Sequence, residues 1–120
     1  MKIAFVGKGG SGKTTVSSQL ARNAAKNGIK VLAIDADINQ RFAETLGLST
    51  EQAKLVGEVG KQMLDLKRHV KGQNALLPEA EKISKTTPAG TGSTLILPFT
   101  DPYLQSLAYH YEGVDVLKTG

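Results

Sequence analysis

The residues best placed to do chemistry lie together near the amino terminus: Gly7-Lys8-Gly9-Gly10-Ser11-Gly12-Lys13-Thr14-Thr15. Four glycines, two lysines and three hydroxyls in nine residues form an oxyanion-binding set. Glycines let the backbone take positive φ and approach a ligand closely, so that successive amide N–H groups converge on phosphate oxygens. Gly7 to Thr14 also satisfies the spacing of glycine, four residues, glycine, lysine, then serine or threonine, with Lys13 reaching the β- and γ-phosphates and the Thr14 hydroxyl a Mg²⁺ ligand. With glycine at about 7% of residues, this pattern arises by chance on the order of once in a few hundred chains of this length. The same stretch also fits the looser G-x-G-x-x-G of dinucleotide sites, with Asp35 standing where a ribose-binding acid would be. Lys13-Thr14 immediately after the glycines favours the phosphate loop.

Such a loop needs a strand before it and a helix after it. Lys2 to Val6 is a short apolar run ended by glycine and predicts a buried strand. Lys13 to Lys26 lacks proline and glycine and repeats Val16, Leu20, Ala21, Ala24 and Ala25 at helical spacing, which predicts a helix stopped by Asn27-Gly28. Lys30 to Asp35 predicts a second buried strand. Strand, helix, strand in this order implies parallel neighbours with a right-handed crossover and an α/β architecture, the ligand lying at the carboxyl ends of the strands. Gly7 and Asp35 both fall there.

Beyond Asp37 the pattern is weaker. Gln40 to Leu46 predicts a short helix. A longer amphipathic one, capped by Ser49 or Thr50, is predicted from Val56, Val59, Met63, Leu66 and Val70, although Gly57 and Gly60 weaken it by about 1 kcal/mol each. Ser84 to Ser93 predicts a loop, and Thr94 to Leu97 and Val114 to Leu117 predict strands.

Composition narrows the remaining choices. The chain has 120 residues, no cysteine and two histidines, so thiolate metal sites and disulfides are excluded and the chemistry must use oxygen and nitrogen groups. Fifteen Lys and Arg against eleven Asp and Glu give a net +4, too mild to signal nucleic-acid binding. No apolar run approaches the roughly 20 residues of a membrane span, and the first residues lack the form of a secretory signal, so the reading is cytoplasmic.

Lys8-Gly9-Gly10-Ser11-Gly12-Lys13-Thr14-Thr15, followed by Asp35-Ala36-Asp37 at a strand end, resembles the deviant Walker A ATPases, the group of MinD, ParA and nitrogenase iron protein. Within the group, Gly7-Lys8-Gly9-Gly10 and Val31-Leu32-Ala33-Ile34-Asp35-Ala36-Asp37 are most similar to the CooC type, nickel-insertion ATPases that mature carbon monoxide dehydrogenase. The resemblance implies a P-loop NTPase with a mainly parallel sheet flanked by helices, Mg-ATP as ligand, and a homodimer switched by the nucleotide. It implies that Lys8 reaches the partner's phosphates, Asp37 positions the attacking water, Asp35 stands near the Mg²⁺ shell and Thr15 donates to the α-phosphate. It also raises a metalloenzyme client.

Alternatives stay open beside each role. Lys8 could be a solvated loop lysine, Asp35 and Asp37 could cap a helix, and the function could be that of a ParA- or MinD-like positioning ATPase or a non-hydrolysing nucleotide-binding fragment. The group's second switch, an aspartate followed closely by glycine, is not found; Asp101-Pro102 and Asp115-Val116 lack the glycine. On this reading residues 1–120 are the N-terminal part of one P-loop ATPase domain, truncated, with 1–48 carrying the phosphate loop and first switch and 49–120 a helical and loop region ending in late strands.

Overall fold

The structure is a computed structural model that describes residues 1–84 and 90–120. The helix predicted after the glycines is present with the predicted bounds: α1, Lys13–Lys26, begins at Gly12 (φ 81°) and ends at Asn27 and Gly28. It leads into β1, Val31–Asp35. α2, Phe42–Leu46, and α3, Thr50–Lys54, follow, the latter opened by a capping box in which Ser49 and Gln52 satisfy each other's backbone amides.

The single amphipathic helix expected through residues 56–70 is broken. α3 stops at Lys54, a 3₁₀ turn covers Val59–Gln62, and α4 occupies Met63–Lys71. The two glycines explain the break. A Cβ on Gly57 would stand 2.4 Å from the Leu107 carbonyl oxygen, and one on Gly60 would stand 2.4 Å from that of Thr119. Their amides bond those same carbonyls, Gly57 N–H at 3.0 Å and Gly60 N–H at 2.7 Å. Close backbone approach, which only glycine permits, has replaced the helical hydrogen bonds.

A second 3₁₀ turn covers Ala80–Lys82, and three further elements follow: α5, Pro102–Leu107, then β2, Tyr109–Tyr111, and β3, Val114–Lys118. Asp101 caps α5 with Pro102 at its first position, and Glu112 and Gly113, both at positive φ, turn the β2–β3 hairpin. Among the described residues the sheet has three strands in the order β1-β3-β2, with β1 parallel to β3 and β2 antiparallel to it. It is therefore mixed. One long parallel connection runs from β1 through the helices to β3.

Two predicted strands are corrected. Residues 2–6 carry no strand; β1 takes β3 as its parallel partner, and Ile3 and Val6 are 53% and 88% exposed. An apolar run becomes a strand only where a neighbour meets its amides and carbonyls, and none of the described strands pairs with this one. Thr94 to Leu97 is likewise irregular, with the Thr94 amide bonded to the Val70 carbonyl at the end of α4. Of the loop predicted over 84–93, residues 85–89 lie outside the described residues, and 84 and 90–93 carry no helix or strand.

The core lies where α1, α2 and α3 cover one face of the sheet. Ala21, Phe42, Ala43, Leu46, Leu48, Ala53, Val56, Val114 and Val116 are buried together, with Val31 and Ala33 packed against them. The alternation of Val31, Ala33 and Asp35 thus points one face of β1 inward. Ile34, on the other face, stays 55% exposed. Packing on this inner face holds α1 and β1 in register, which places the glycine loop beside Asp35 and Asp37.

Candidate functional site: a phosphate-binding loop

Gly10 and Gly12 take φ of 78° and 81°, and no atom crowds a Cβ at either, so glycine is required there by conformation rather than by space. Gly7 takes φ 155°, and a Cβ there would in addition meet the Ser11 hydroxyl oxygen at 2.8 Å. The loop closes on itself through the Ser11 amide, 3.2 Å from the Lys8 carbonyl oxygen. Gly12 then opens α1, which has no side-chain cap and no acidic residue in its first turn. The first amides and the helix dipole are left for an external anion.

The loop borders a cavity of about 440 Å³ lined by residues 9–15 and by Asp37, Asn39 and Arg41. That volume falls within the roughly 300–1,000 Å³ of small-molecule sites. Lys13 Nζ donates to the Lys8 carbonyl at 3.2 Å and lies 3.9 Å from Asp37 Oδ2. Of the residues singled out in the sequence, Gly9 to Thr15 and Asp37 are therefore brought together around one cavity.

Three of the expected residues stand elsewhere. Gly7 and Lys8 are exposed and do not line the cavity. Asp35 lies behind it, 8% exposed, with Oδ1 accepting the Asp37 amide at 3.1 Å and Oδ2 the Phe42 amide at 3.0 Å. It fixes the segment from 36 to 42 by gripping both ends. Within that segment Asp37 Oδ1 accepts the Asn39 amide at 3.2 Å and the Asp37 carbonyl accepts that of Gln40, whose φ of 48° is unusual for a side chain of its size. Asn39 and Arg41, which carry no motif of their own, also line the cavity; their positions two and four residues beyond Asp37 are the one signal the sequence holds for them.

The donor set suits a magnesium–polyphosphate ligand. Mg²⁺ needs hard oxygen ligands and keeps several waters, so one hydroxyl at Thr14 with phosphate oxygens suffices, and no carboxylate cage is required. Among the described residues no group of three or more His, Cys, Asp or Glu could hold a metal on its own. A cation would come here with its nucleotide.

A second ionic cluster lies away from this cavity. His69 Nε2 bonds Asp101 Oδ2 at 2.9 Å, its ring stacks on Tyr103, and Asp101 Oδ1 accepts the amides of Tyr103 and Leu104. Burial pushes the Asp101 carboxyl up, but the His69 hydrogen bond and these amides outweigh it and hold the group below the usual carboxylate range. This joins α4 to α5 and is structural. Burial also raises the Tyr103 phenol.

A helix whose glycine-rich start leaves its amides to an anion, with a lysine and a carboxylate in the same cavity, defines a phosphate-loop nucleotide-binding domain. The chain belongs to the CobQ/CobB/MinD/ParA nucleotide binding domain family, which matches residues 3–114. It is similar to the carbon monoxide dehydrogenase accessory protein CooC of Rhodospirillum rubrum, 33% identical over 121 residues, covering 100% of this chain and 40% of that one. It is also similar to an uncharacterized ATP-binding protein of Methanocaldococcus jannaschii, 49% identical over 51 residues, 42% of this chain and 20% of the relative. A second such protein of that organism is 38% identical over 66 residues, 55% of this chain and 25% of the relative. The chain thus spans less than half the length of these relatives. No solved structure matches. No helix among the described residues is long and apolar enough to cross a membrane.

Proposed function

We propose that this chain binds Mg-ATP in the cavity beside residues 9–15 and forms part of an ATPase that works as a nucleotide-switched homodimer. The observation that carries the reading is the convergence of the uncapped start of α1, Lys13 and Asp37 on one cavity. Loop amides and the helix dipole take the phosphates, Lys13 neutralises the β- and γ-oxygens, and Thr14 ligates Mg²⁺. When bound, Mg²⁺ offsets the charge that develops on the γ-phosphate oxygens.

Asp37 is the residue we assign to positioning the attacking water, and Asp35 acts near the metal shell by holding the 36–42 segment in place. Thr15 donates to the α-phosphate. Lys8 serves the partner's nucleotide: it is exposed and outside its own cavity, as a group that acts across an interface must be. Ile38, between the cavity residues Asp37 and Asn39, exposes 97% of its surface and fits the same interface. A cation delivered only on assembly makes hydrolysis conditional on dimerisation.

The similarity to CooC supports a client metalloenzyme of the carbon monoxide dehydrogenase kind; nickel insertion into that client, and a cytoplasmic setting, are parts of the same proposal. A mainly parallel sheet belongs to the same proposal.

Calorimetric titration with Mg-ATP, paired with phosphate-release assays, tests the reading. Lys13→Ala should lose binding, and Lys8→Ala should keep binding and lose hydrolysis. Heat of binding unchanged in Lys13→Ala would overturn the assignment of the cavity; unchanged turnover in Lys8→Ala would overturn the action across the dimer.

A further inference from the structure

One cation in the cavity is explained neither by the glycine loop nor by the paired aspartates. Arg41 lines the cavity with Asp37 and Asn39, is exposed, and among the described residues forms no ion pair. Its position is set closely by its neighbours. Phe42 follows at once, 7% exposed in the core, with its amide held by Asp35 Oδ2 at 3.0 Å, and the Thr45 amide bonds the Arg41 carbonyl at 3.0 Å. On the other side Gln40 turns at φ 48°. The backbone at Arg41 is therefore anchored to the core while its side chain is left unpaired at the cavity.

Charge in the cavity is also unbalanced. Asp37 is its one carboxylate among the described residues, and that group already faces Lys13 at 3.9 Å and accepts the Asn39 amide at 3.2 Å. A guanidinium without a carboxylate, beside a site built for phosphates, matches phosphate oxygens in its planar two-pronged geometry. Arg41 shares its wall with Asp37, and Asp37 faces the ammonium that serves the outer phosphates.

We infer that Arg41 is a binding residue for the terminal phosphate of a nucleoside triphosphate and that it makes the site distinguish triphosphate from diphosphate. The inference rests on the nucleotide site proposed above. Loss of the terminal phosphate then removes the ligand of Arg41, so that the 35–42 segment is held from the cavity side in one nucleotide state and not in the other.

Titration of the wild-type chain, Arg41→Ala, Arg41→Lys and Lys13→Ala with Mg-ADP and with a non-hydrolysable Mg-ATP analogue tests this. Arg41→Ala should weaken analogue binding roughly ten- to hundredfold and leave Mg-ADP binding unchanged, which also reports an intact fold. Arg41→Lys should fall between the two, because charge is kept and the planar geometry lost. Equal losses for both ligands, or no loss for either, would overturn the inference while a Lys13→Ala defect upholds the nucleotide site. A wild-type chain that binds neither ligand would remove the site itself.

Discussion

Lys13 Nζ stands 3.9 Å from Asp37 Oδ2 while donating a 3.2 Å hydrogen bond to the carbonyl of Lys8. The ammonium thus has two protein partners, one a fixed main-chain dipole from the glycine loop and one the side chain of a residue beyond β1. Phosphate oxygens must compete with the second for the same cation.

Asp37→Asn separates the two duties proposed for that carboxylate. Removing the competing charge should tighten nucleotide binding by no more than about fivefold, since the pair is partly exposed. Hydrolysis should fall by about a hundredfold or more, because the group that orients water is gone. Parallel calorimetry and phosphate release measure both; equal loss of binding and turnover would contradict the assignment.

Asp35 grips two amides, those of Asp37 and Phe42, from a buried position. Asp35→Ala leaves the Asp37 and Phe42 amides without their acceptor, and should cost about 2–4 kcal/mol of stability in urea unfolding. Asp35→Asn, which keeps one carbonyl oxygen, should cost less than Asp35→Ala.

Gly12 opens α1 at φ 81° with open space where a Cβ would lie. Gly12→Ala should therefore cost about 1–2 kcal/mol through the backbone alone, read as a lower thermal midpoint. Gly60→Ala should cost more, because its Cβ would press on the Thr119 carbonyl at 2.4 Å.

The Asp101 carboxyl titrates below its ordinary value of 3.8 in the folded chain. A depressed carboxylate gives stability that is present above the unfolded pKa and is lost as pH falls through the folded one. Asp101→Asn keeps a capping oxygen and loses only the charge, so it should destabilise by about 0.3–1 kcal/mol at pH 7. The difference from wild type should shrink as the pH is lowered through and below 3.8, which denaturation at several pH values would record.

Local signals carried the site. The glycine spacing placed the loop, the unbroken run from Lys13 to Lys26 gave α1 its true bounds, and the run from Lys30 to Asp35 gave β1 to within one residue. What failed needed distant partners. Lys2 to Val6 has the composition of a strand but no described neighbour, and the period from Val56 to Val70 looked helical while Gly57 and Gly60 were reserved for carbonyls at Leu107 and Thr119, about fifty and sixty residues away by sequence numbering. Asp101-Pro102 lacks the glycine of a switch aspartate and is instead a helix start, a cap followed by proline. Arg41 escaped notice because nothing in a lone arginine tells which cavity it borders.

The tie at Gly60 continues further than the 3₁₀ turn. Its amide bonds the Thr119 carbonyl, the Thr119 amide bonds the Asp35 carbonyl at 3.0 Å, and the Asp35 side chain holds Asp37 and Phe42. The region between α3 and α4 is thereby wired, peptide to peptide, to the rim of the nucleotide cavity. Gly60→Ala, although distant in sequence from the loop, therefore strains a backbone that ends at Asp37.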